Sequence, residues 1–211
     1  MPDLSNLLAY GLISLGMVLT PGPNMIYLIS RSICQGPMAG LISLGGVALG
    51  FVVYMFCAAL GITALLLAVP YAYDVLRLGG ALYLLYLAWQ AVKPGGRSPF
   101  QVRDLPRDSP RKLFMMGFVT NLLNPKIAVM YLSLLPQFID PVGHGSVLTQ
   151  SLMLGFTQII ISVSVNALIA VMAGSIAAFF VSRPTWQVVQ RWLMGTVLTG
   201  LAVRMAVEGR R

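Results

Sequence analysis

The chain has 211 residues, of which 57% are hydrophobic and only 9% are charged, and its mean hydropathy is +0.82. A soluble domain carries about 25% charged residues, so this composition excludes an ordinary soluble domain. The net charge of +8 would suit nucleic acid, but the basic residues do not form one folded face, and we predict no nucleic-acid partner. The predicted surroundings are a lipid bilayer.

Apolar runs predict an all-α integral membrane protein with six transmembrane helices in a single domain, residues 1–211. The predicted spans are Leu7–Ser30, Met38–Val69, Val75–Val92, Leu113–Leu135, Val147–Val181 and Trp186–Val207. The only long connection, about 93–112, is rich in Pro, Gly, Ser and Arg. It divides the chain into two halves, about 1–92 and 113–207.

The first predicted span is interrupted by the sequence Thr20-Pro21-Gly22-Pro23-Asn24. Proline has no backbone N–H and clashes with the preceding turn, so helical hydrogen bonding is lost here. The freed carbonyls need protein, water or a ligand, because hydrocarbon cannot satisfy them. The half-helix that starts after Pro23 presents N–H groups to an anion, and the half-helix that ends before Pro21 presents carbonyls to an ammonium.

The fourth predicted span has a second interruption, Asn124-Pro125-Lys126. Lys126 is the only ionisable side chain deep inside a predicted span, and no acidic residue lies at that depth. A lysine near the bilayer centre costs roughly 2.5–3.5 kcal/mol, so we expect it to be functional. We predict that Lys126 binds the carboxylate of a zwitterion whose amine meets the freed carbonyls. The alternative is structural: two kinked helices pack together and Lys126 bonds to those carbonyls.

The fifth predicted span carries Gln158, Ser162 and Asn166 at intervals of four residues. This spacing places the three polar side chains on one face of a helix. They either line the passage and bind substrate or form hydrogen bonds between helices, which contribute about 0.6 kcal/mol each. The sequence favours neither role.

The two halves resemble each other, which indicates an internal repeat. Four residues recur 104 positions later: Leu19, Pro21, Tyr27 and Leu28 match Leu123, Pro125, Tyr131 and Leu132. Each repeat holds three spans, an odd number, so the second repeat is predicted to be inverted relative to the first. Inverted repeats with broken helices at corresponding positions are typical of secondary transporters, whose sites lie near the midplane.

Close packing of helices is predicted from the glycines of the second span. Small residues let helix backbones approach one another in a membrane. The glycines concerned are Gly36, Gly40, Gly45, Gly46 and Gly50.

The distribution of Lys and Arg predicts the orientation. Nine lie on the side of the long loop: Arg31, Lys93, Arg97, Arg103, Arg107, Arg111, Lys112, Arg183 and Arg191. Four lie on the other side: Arg77, Arg204, Arg210 and Arg211. Because cytoplasmic loops carry the excess of positive charge, we predict a cytoplasmic loop and periplasmic termini.

Two motifs, Thr20–Asn24 and Asn124–Lys126, resemble the signature motifs of the LysE/RhtB family of amino-acid exporters. The stretches Gly36–Gly40, Gly80–Leu87 and Leu134–Ile139 are also similar to that family, so the resemblance covers nearly the whole chain. It implies a bacterial inner-membrane exporter of the threonine, homoserine or neutral amino-acid type, driven by the proton gradient.

One departure from the family pattern concerns the substrate. Exporters of basic amino acids in this family carry an Asp where this chain has Phe51. All six acidic residues fall in predicted loops or at ends: Asp3, Asp74, Asp104, Asp108, Asp140 and Glu208. A cationic substrate side chain would then lack a counter-charge, so a neutral substrate is favoured.

Three classes of function remain: an exporter of small zwitterions, another transporter or a channel for a different solute or ion, and a membrane enzyme or structural subunit. An enzyme needs a nucleophile, a base or a metal cluster, and the lone His144 has no such neighbours in the sequence. We therefore predict an exporter with no catalytic residues, no metal and no cofactor. The oligomeric state is left open, with a homo-oligomer as one option.

Overall fold

A computed structural model describes residues 3–68, 107–140, 145–182 and 184–207, together with 78–79, 81–82, 84–86, 88–89 and 92–93. In these residues the regular structure is entirely helical, which confirms the all-α class. The helices are α1 (Leu4–Leu19), α2 (Pro23–Gln35), α3 (Pro37–Ala68), α4 (Pro110–Leu122), α5 (Pro125–Val129), α6 (Val147–Ser182) and α7 (Pro184–Val207). The chain continues from α5 through a π-helical turn, Met130–Leu134, and a 3-10 turn, Leu135–Phe138.

Two helices are long and apolar enough to cross a membrane, within α3 (Pro37–Gly61) and α6 (Val147–Ser175). The bent pair α1–α2 and the bent pair of α4 with Pro125–Phe138 each meet the same test when taken together. The described residues therefore provide between two and four candidate spans. The third predicted span is described only in part, most of the long loop lies outside the described residues, and the six-span inverted repeat stays a prediction.

Both predicted interruptions are confirmed. The axes of α1 and α2 differ by 53°, and those of α4 and Pro125–Phe138 by 50°. Pro23 and Pro125 each occupy the first turn of a new helix, where a missing N–H has no consequence. The side-chain oxygen of Asn124 caps α5 by accepting from the N–H of Lys126 at 3.1 Å.

The helices of the broken spans extend a few residues beyond the approximate ends predicted for those spans. The first span begins at Leu4 rather than Leu7 and continues to Gln35 rather than Ser30. The fourth begins at Pro110, where Ser109 caps the first turn by accepting from the N–H of Lys112. Polar residues flanking the apolar runs continue the helices, because caps, rather than hydropathy, determine where a helix ends.

The long helix α3 packs against α4 and α6. A Cβ atom at Gly46 would lie 1.9 Å from the carbonyl oxygen of Phe114, and one at Gly117 would lie 2.1 Å from that of Ser43. Only glycine allows the two backbones to approach this closely. The prediction of close packing is thus confirmed for Gly46.

The same prediction is wrong for Gly36, where an added Cβ would meet nothing within 4 Å. Gly36 has a φ of 93°, a conformation that glycine adopts without steric strain. It therefore makes the sharp link between α2 and α3 and takes no part in helix contact.

Candidate functional site

The side chain of Lys126 is buried, with only 6% of the residue exposed, and it connects the two interruptions. Its Nζ donates to the carbonyl oxygens of Met17 at 2.7 Å and Thr20 at 2.6 Å, both at the end of α1. A helical carbonyl at position 17 would normally accept from the N–H of residue 21, but Pro21 has none. The Met17 carbonyl therefore loses its usual partner, and it accepts instead from the N–H of Thr20 at 3.2 Å and from Lys126.

These bonds change one part of the predicted site. The carbonyls of Met17 and Thr20, which we expected to receive the amine of a zwitterion, accept hydrogen bonds from Lys126 itself. This contact is the one that the structural alternative predicts. An ammonium has three donors, however, so Lys126 keeps one N–H for a further acceptor.

A cavity of about 20 Å³ lies beside Lys126. Most of the predicted site residues line it: Gly22, Asn24, Asn124, Lys126, Gln158, Ser162 and Asn166. The remaining predicted residues form the interruptions and do not line the cavity: Thr20, Pro21, Pro23 and Pro125. The rest of the lining is apolar and consists of Met17, Val18, Met25, Phe51, Ile127 and Met130. The structure therefore joins residues of α1, α2, α3, α5 and α6 at one place.

Two buried asparagines in the lining have unused hydrogen-bonding capacity within the described part of the chain. Both side-chain atoms of Asn24 lack a partner, and so does Nδ2 of Asn124. The oxygen of Asn124 already accepts from the N–H of Lys126, whereas its Nδ2 is a donor without a partner among the described residues. A buried polar group without a partner costs roughly 1–3 kcal/mol, so these amides are suited to binding a polar ligand.

The polar face of α6 both lines the cavity and forms internal hydrogen bonds. Gln158 Nε2 donates to Ser162 Oγ at 2.8 Å, and Asn166 Nδ2 donates to the carbonyl oxygen of Ser162 at 2.8 Å. Tyr131 donates its hydroxyl proton to Gln158 Oε1 at 2.5 Å. Of these bonds, only the last one crosses to another element, so this face both bonds to a neighbouring element and lines the cavity.

Asp108 lies in a loop, as expected, but its side chain belongs to a second polar cluster, which contradicts the expectation that no carboxylate is buried. The Asp108 side chain is only 5% exposed, and it accepts from Arg31, from Lys112 at 2.6 Å and from Gln35 at 3.2 Å. The guanidinium of Arg31 also lies 5.4 Å from the centre of the Tyr27 ring. This cluster joins the end of α2 to the start of α4.

Sequence reasoning missed this cluster because Asp108 lies more than 70 positions from Arg31 and Gln35, and because these residues were assigned to loops. The available signal was Arg31, a charged residue directly after a predicted span. In the structure it belongs to α2 and is 9% exposed, so it required a buried acceptor.

Acidification is expected to weaken the contact between α2 and α4. The hydrogen bond from Lys112, followed by that from Gln35 and the charge of Arg31, lowers the pKa of Asp108 below its ordinary value of 3.8. The ionised form therefore favours folding above that value, and its contribution is lost as the pH falls further. Thermal melting in detergent should show a steeper acid dependence for the wild type than for Asp108→Asn. Exposed Asp3→Asn is the control, and equal curves for all three proteins would contradict this role.

The sequence matches a known protein family over most of its length. Residues 15–209 match the family model described as LysE type translocator. A leucine efflux protein of Enterobacter sp. (strain 638) is 28% identical over 200 residues, which cover 90% of each chain. A leucine efflux protein of Klebsiella pneumoniae subsp. pneumoniae is 28% identical over 208 residues, covering 95% of this chain and 94% of the relative.

A leucine efflux protein of Salmonella choleraesuis is 27% identical over 195 residues, covering 90% of this chain and 89% of the relative. No solved structure shows a significant match to the chain. The family match and the helices long enough to span a bilayer identify a multi-pass membrane protein. The family model covers nearly the whole chain, and the chain therefore belongs to the LysE-type translocator family.

Proposed function

We propose that the protein is a secondary transporter that exports neutral amino acids with apolar side chains across the bacterial inner membrane, coupled to the proton gradient. The observation that carries this proposal is one buried cavity that combines a lysine, two asparagine amides with unused donors and an apolar wall. The leucine efflux proteins among the relatives support the substrate class. Inner-membrane location and proton coupling rest on the family resemblance.

The carboxylate of the substrate binds between Lys126, Asn124 and the start of α2. Lys126 offers its third N–H, and Asn124 offers Nδ2. Gly22, the residue before α2, has no side chain that could cap the first turn, so this turn adds N–H groups and the positive end of the helix dipole. Hydrogen bonds between an anion and charged donors are roughly twice as strong as neutral ones, so this is the strongest part of the site.

The amine of the substrate binds to neutral oxygen atoms. The Oδ1 atom of Asn24 lacks a partner among the described residues, and Ser162 Oγ lines the same cavity. Among the described residues that line the cavity there is no carboxylate, so a second cationic group on the substrate would find no counter-charge there. This arrangement favours neutral over basic amino acids.

The side chain of the substrate contacts the apolar wall. Three methionines, Met17, Met25 and Met130, contribute to this wall together with Phe51 and Ile127. Methionine side chains are flexible and adapt to differently shaped apolar groups. The present cavity holds about one water molecule, so amino-acid binding requires the lining helices to separate.

The predicted inverted repeats supply a way for the helices to separate. The interruptions of both repeats meet at Lys126, in agreement with a site between the two halves. In this proposal the long loop is cytoplasmic and both termini are periplasmic, as the distribution of positive charge predicts.

Transport by the purified protein in proteoliposomes tests the proposed substrate class. We expect saturable leucine transport that a proton gradient accelerates and a protonophore slows. Excess unlabelled leucine should compete, whereas lysine, 3-methylbutylamine and 4-methylpentanoate should not, since each lacks one required feature. Competition by the amine as strong as that by leucine would contradict the carboxylate site, and lysine transport would contradict the neutral class.

The change Asn124→Asp separates ligand binding from helix capping. Aspartate retains the side-chain oxygen that caps α5, but it removes the Nδ2 donor and adds a negative charge. We expect the apparent affinity for leucine to fall at least about tenfold, because a hydrogen bond to a charged group contributes roughly 1.5–3 kcal/mol. Thermal melting should change little. An unchanged affinity in the folded variant would remove Asn124 from the carboxylate site.

A further inference from the structure

We propose that the outward half of the translocation path runs from the cavity along Ser14 and Tyr10 of α1, and that Phe138 closes its end. This inference rests on the proposed export function, to which it adds a route. The first observation is that Ser14 Oγ and Tyr10 Oη have no hydrogen-bond partner within the described chain. Ser14 is 1% exposed and Tyr10 is 0% exposed.

These two hydroxyl groups continue a line that begins at the cavity. Tyr10 and Ser14 are four residues apart, and Met17 follows three residues later, so the three side chains share one face of α1. Met17 lines the cavity beside Lys126. Buried hydroxyls without partners are unfavourable in a packed core, and they become useful when water or a polar solute passes.

Polar groups of the second half face the same region. Gln158 lines the cavity, and its Oε1 accepts from the hydroxyl of Tyr131. Tyr131 belongs to the same buried cluster as Tyr10. Hydrogen-bonding groups are thus available from the cavity toward the N-terminal half of α1.

Phe138 is positioned to close this route. Its ring centre lies 5.2 Å from that of Tyr10, and the residue is 4% exposed. Phe138 is the last residue of the 3-10 turn, which follows directly on the π-helical turn. Adjacent π-helical and 3-10 turns often mark functional hinges, so a change in this segment would move Phe138 away from Tyr10.

The opposite direction is closed by the Asp108 cluster, which joins the other ends of the two broken spans. The ion pairs of the Asp108 cluster therefore close the end of the path near the long loop, and the Tyr10–Phe138 pair closes the end near the N-terminus. The two ends can respond to different conditions, since salt and pH act on the first and leave the second unchanged.

Cysteine labelling tests the route. Cys34 and Cys57 are first replaced by Ser, and single cysteines are introduced as Ser14→Cys and, for control, Leu12→Cys. Leu12 lies on the same helix but is 71% exposed, on the face that would meet lipid. A membrane-impermeant methanethiosulfonate reagent is added to oriented vesicles on the side of the N-terminus, with and without leucine.

We expect Ser14→Cys to react at least about tenfold faster than Leu12→Cys, because the reacting thiolate forms only in contact with water. Leucine should slow the reaction. Equal rates at the two positions, in a variant that still exports leucine, would overturn the route while leaving the proposed function intact. A third outcome is rapid labelling of Ser14→Cys that leucine does not slow, in vesicles that do not transport leucine. This result would support the route and count against leucine as the substrate.

A second variant, Ser14→Ala, tests whether Ser14 affects transport or only the packing of the helices. Removing a buried hydroxyl without a partner should leave the melting temperature unchanged or higher. Because Ser14 lines the proposed path, the same change should slow leucine efflux several-fold. Wild-type efflux by Ser14→Ala, together with no labelling at position 14, would show that the solute leaves elsewhere.

Discussion

Replacing Lys126 with Met is expected to reduce leucine efflux by roughly 10- to 150-fold, because a hydrogen bond from a charged group contributes roughly 1.5–3 kcal/mol. Methionine has a similar length and an apolar end, so it fills the same space without the charge. It also leaves the carbonyls of Met17 and Thr20 without the donor that now serves them. We therefore expect a lower melting temperature as well.

Two further substitutions separate transport from folding. Lys126→Arg keeps the positive charge and can still donate to both carbonyls, so its melting temperature should remain closer to that of the wild type. Its planar group differs in shape from an ammonium, and transport should be impaired nonetheless. Lys93→Met removes a lysine that is not part of the cavity lining and should export normally. Normal leucine efflux by a folded Lys126→Met protein would show that this ammonium only joins helices.

Replacing Gly117 with Ala is expected to cause a large loss of stability. The added Cβ would lie 2.1 Å from the carbonyl oxygen of Ser43 on α3. That atom belongs to the backbone, so relief requires the two helices to move apart. Overpacking of a core typically costs 1–3 kcal/mol, and we expect about the upper end of that range.

The matched control is Gly61→Ala in α3, where an added Cβ would meet no described atom within 4 Å. Thermal melting of the three purified proteins in the same detergent gives the comparison. Gly61→Ala should melt like the wild type, and Gly117→Ala well below it. Similar melting temperatures for the two variants would mean that α3 and α4 do not approach as closely as described.

The interruptions could be predicted from the sequence because they depend on local chemistry. Pro21, Pro23 and Pro125 break helical hydrogen bonding whatever surrounds them. The polar face of α6 was also predictable, since residues four positions apart share one side of a helix. These local rules placed Gln158, Ser162 and Asn166 in the same set as Lys126, and the structure brings them to one cavity.

The partners of these residues could not be predicted, because they are set by packing across the whole chain. Lys126 reaches carbonyls more than 100 positions away, and Asp108 reaches a guanidinium 77 positions away. The π-helical turn of Met130–Leu134 also has no local signature in the sequence that we recognised. Local patterns identified the participants in the site, and tertiary structure determined their bonds.

The bonds of Lys126 to the end of α1 have a mechanical consequence. They fasten the two interrupted spans to each other near their midpoints, while the contacts at their far ends are separate: Arg31 with Asp108 at one end, and Tyr10 with Phe138 at the other. Two rods joined at mid-length turn about a shared pivot. In the transport proposed here, the two spans rock against each other about this contact, so that separating one pair of ends brings the other pair together and the route is never open at both ends.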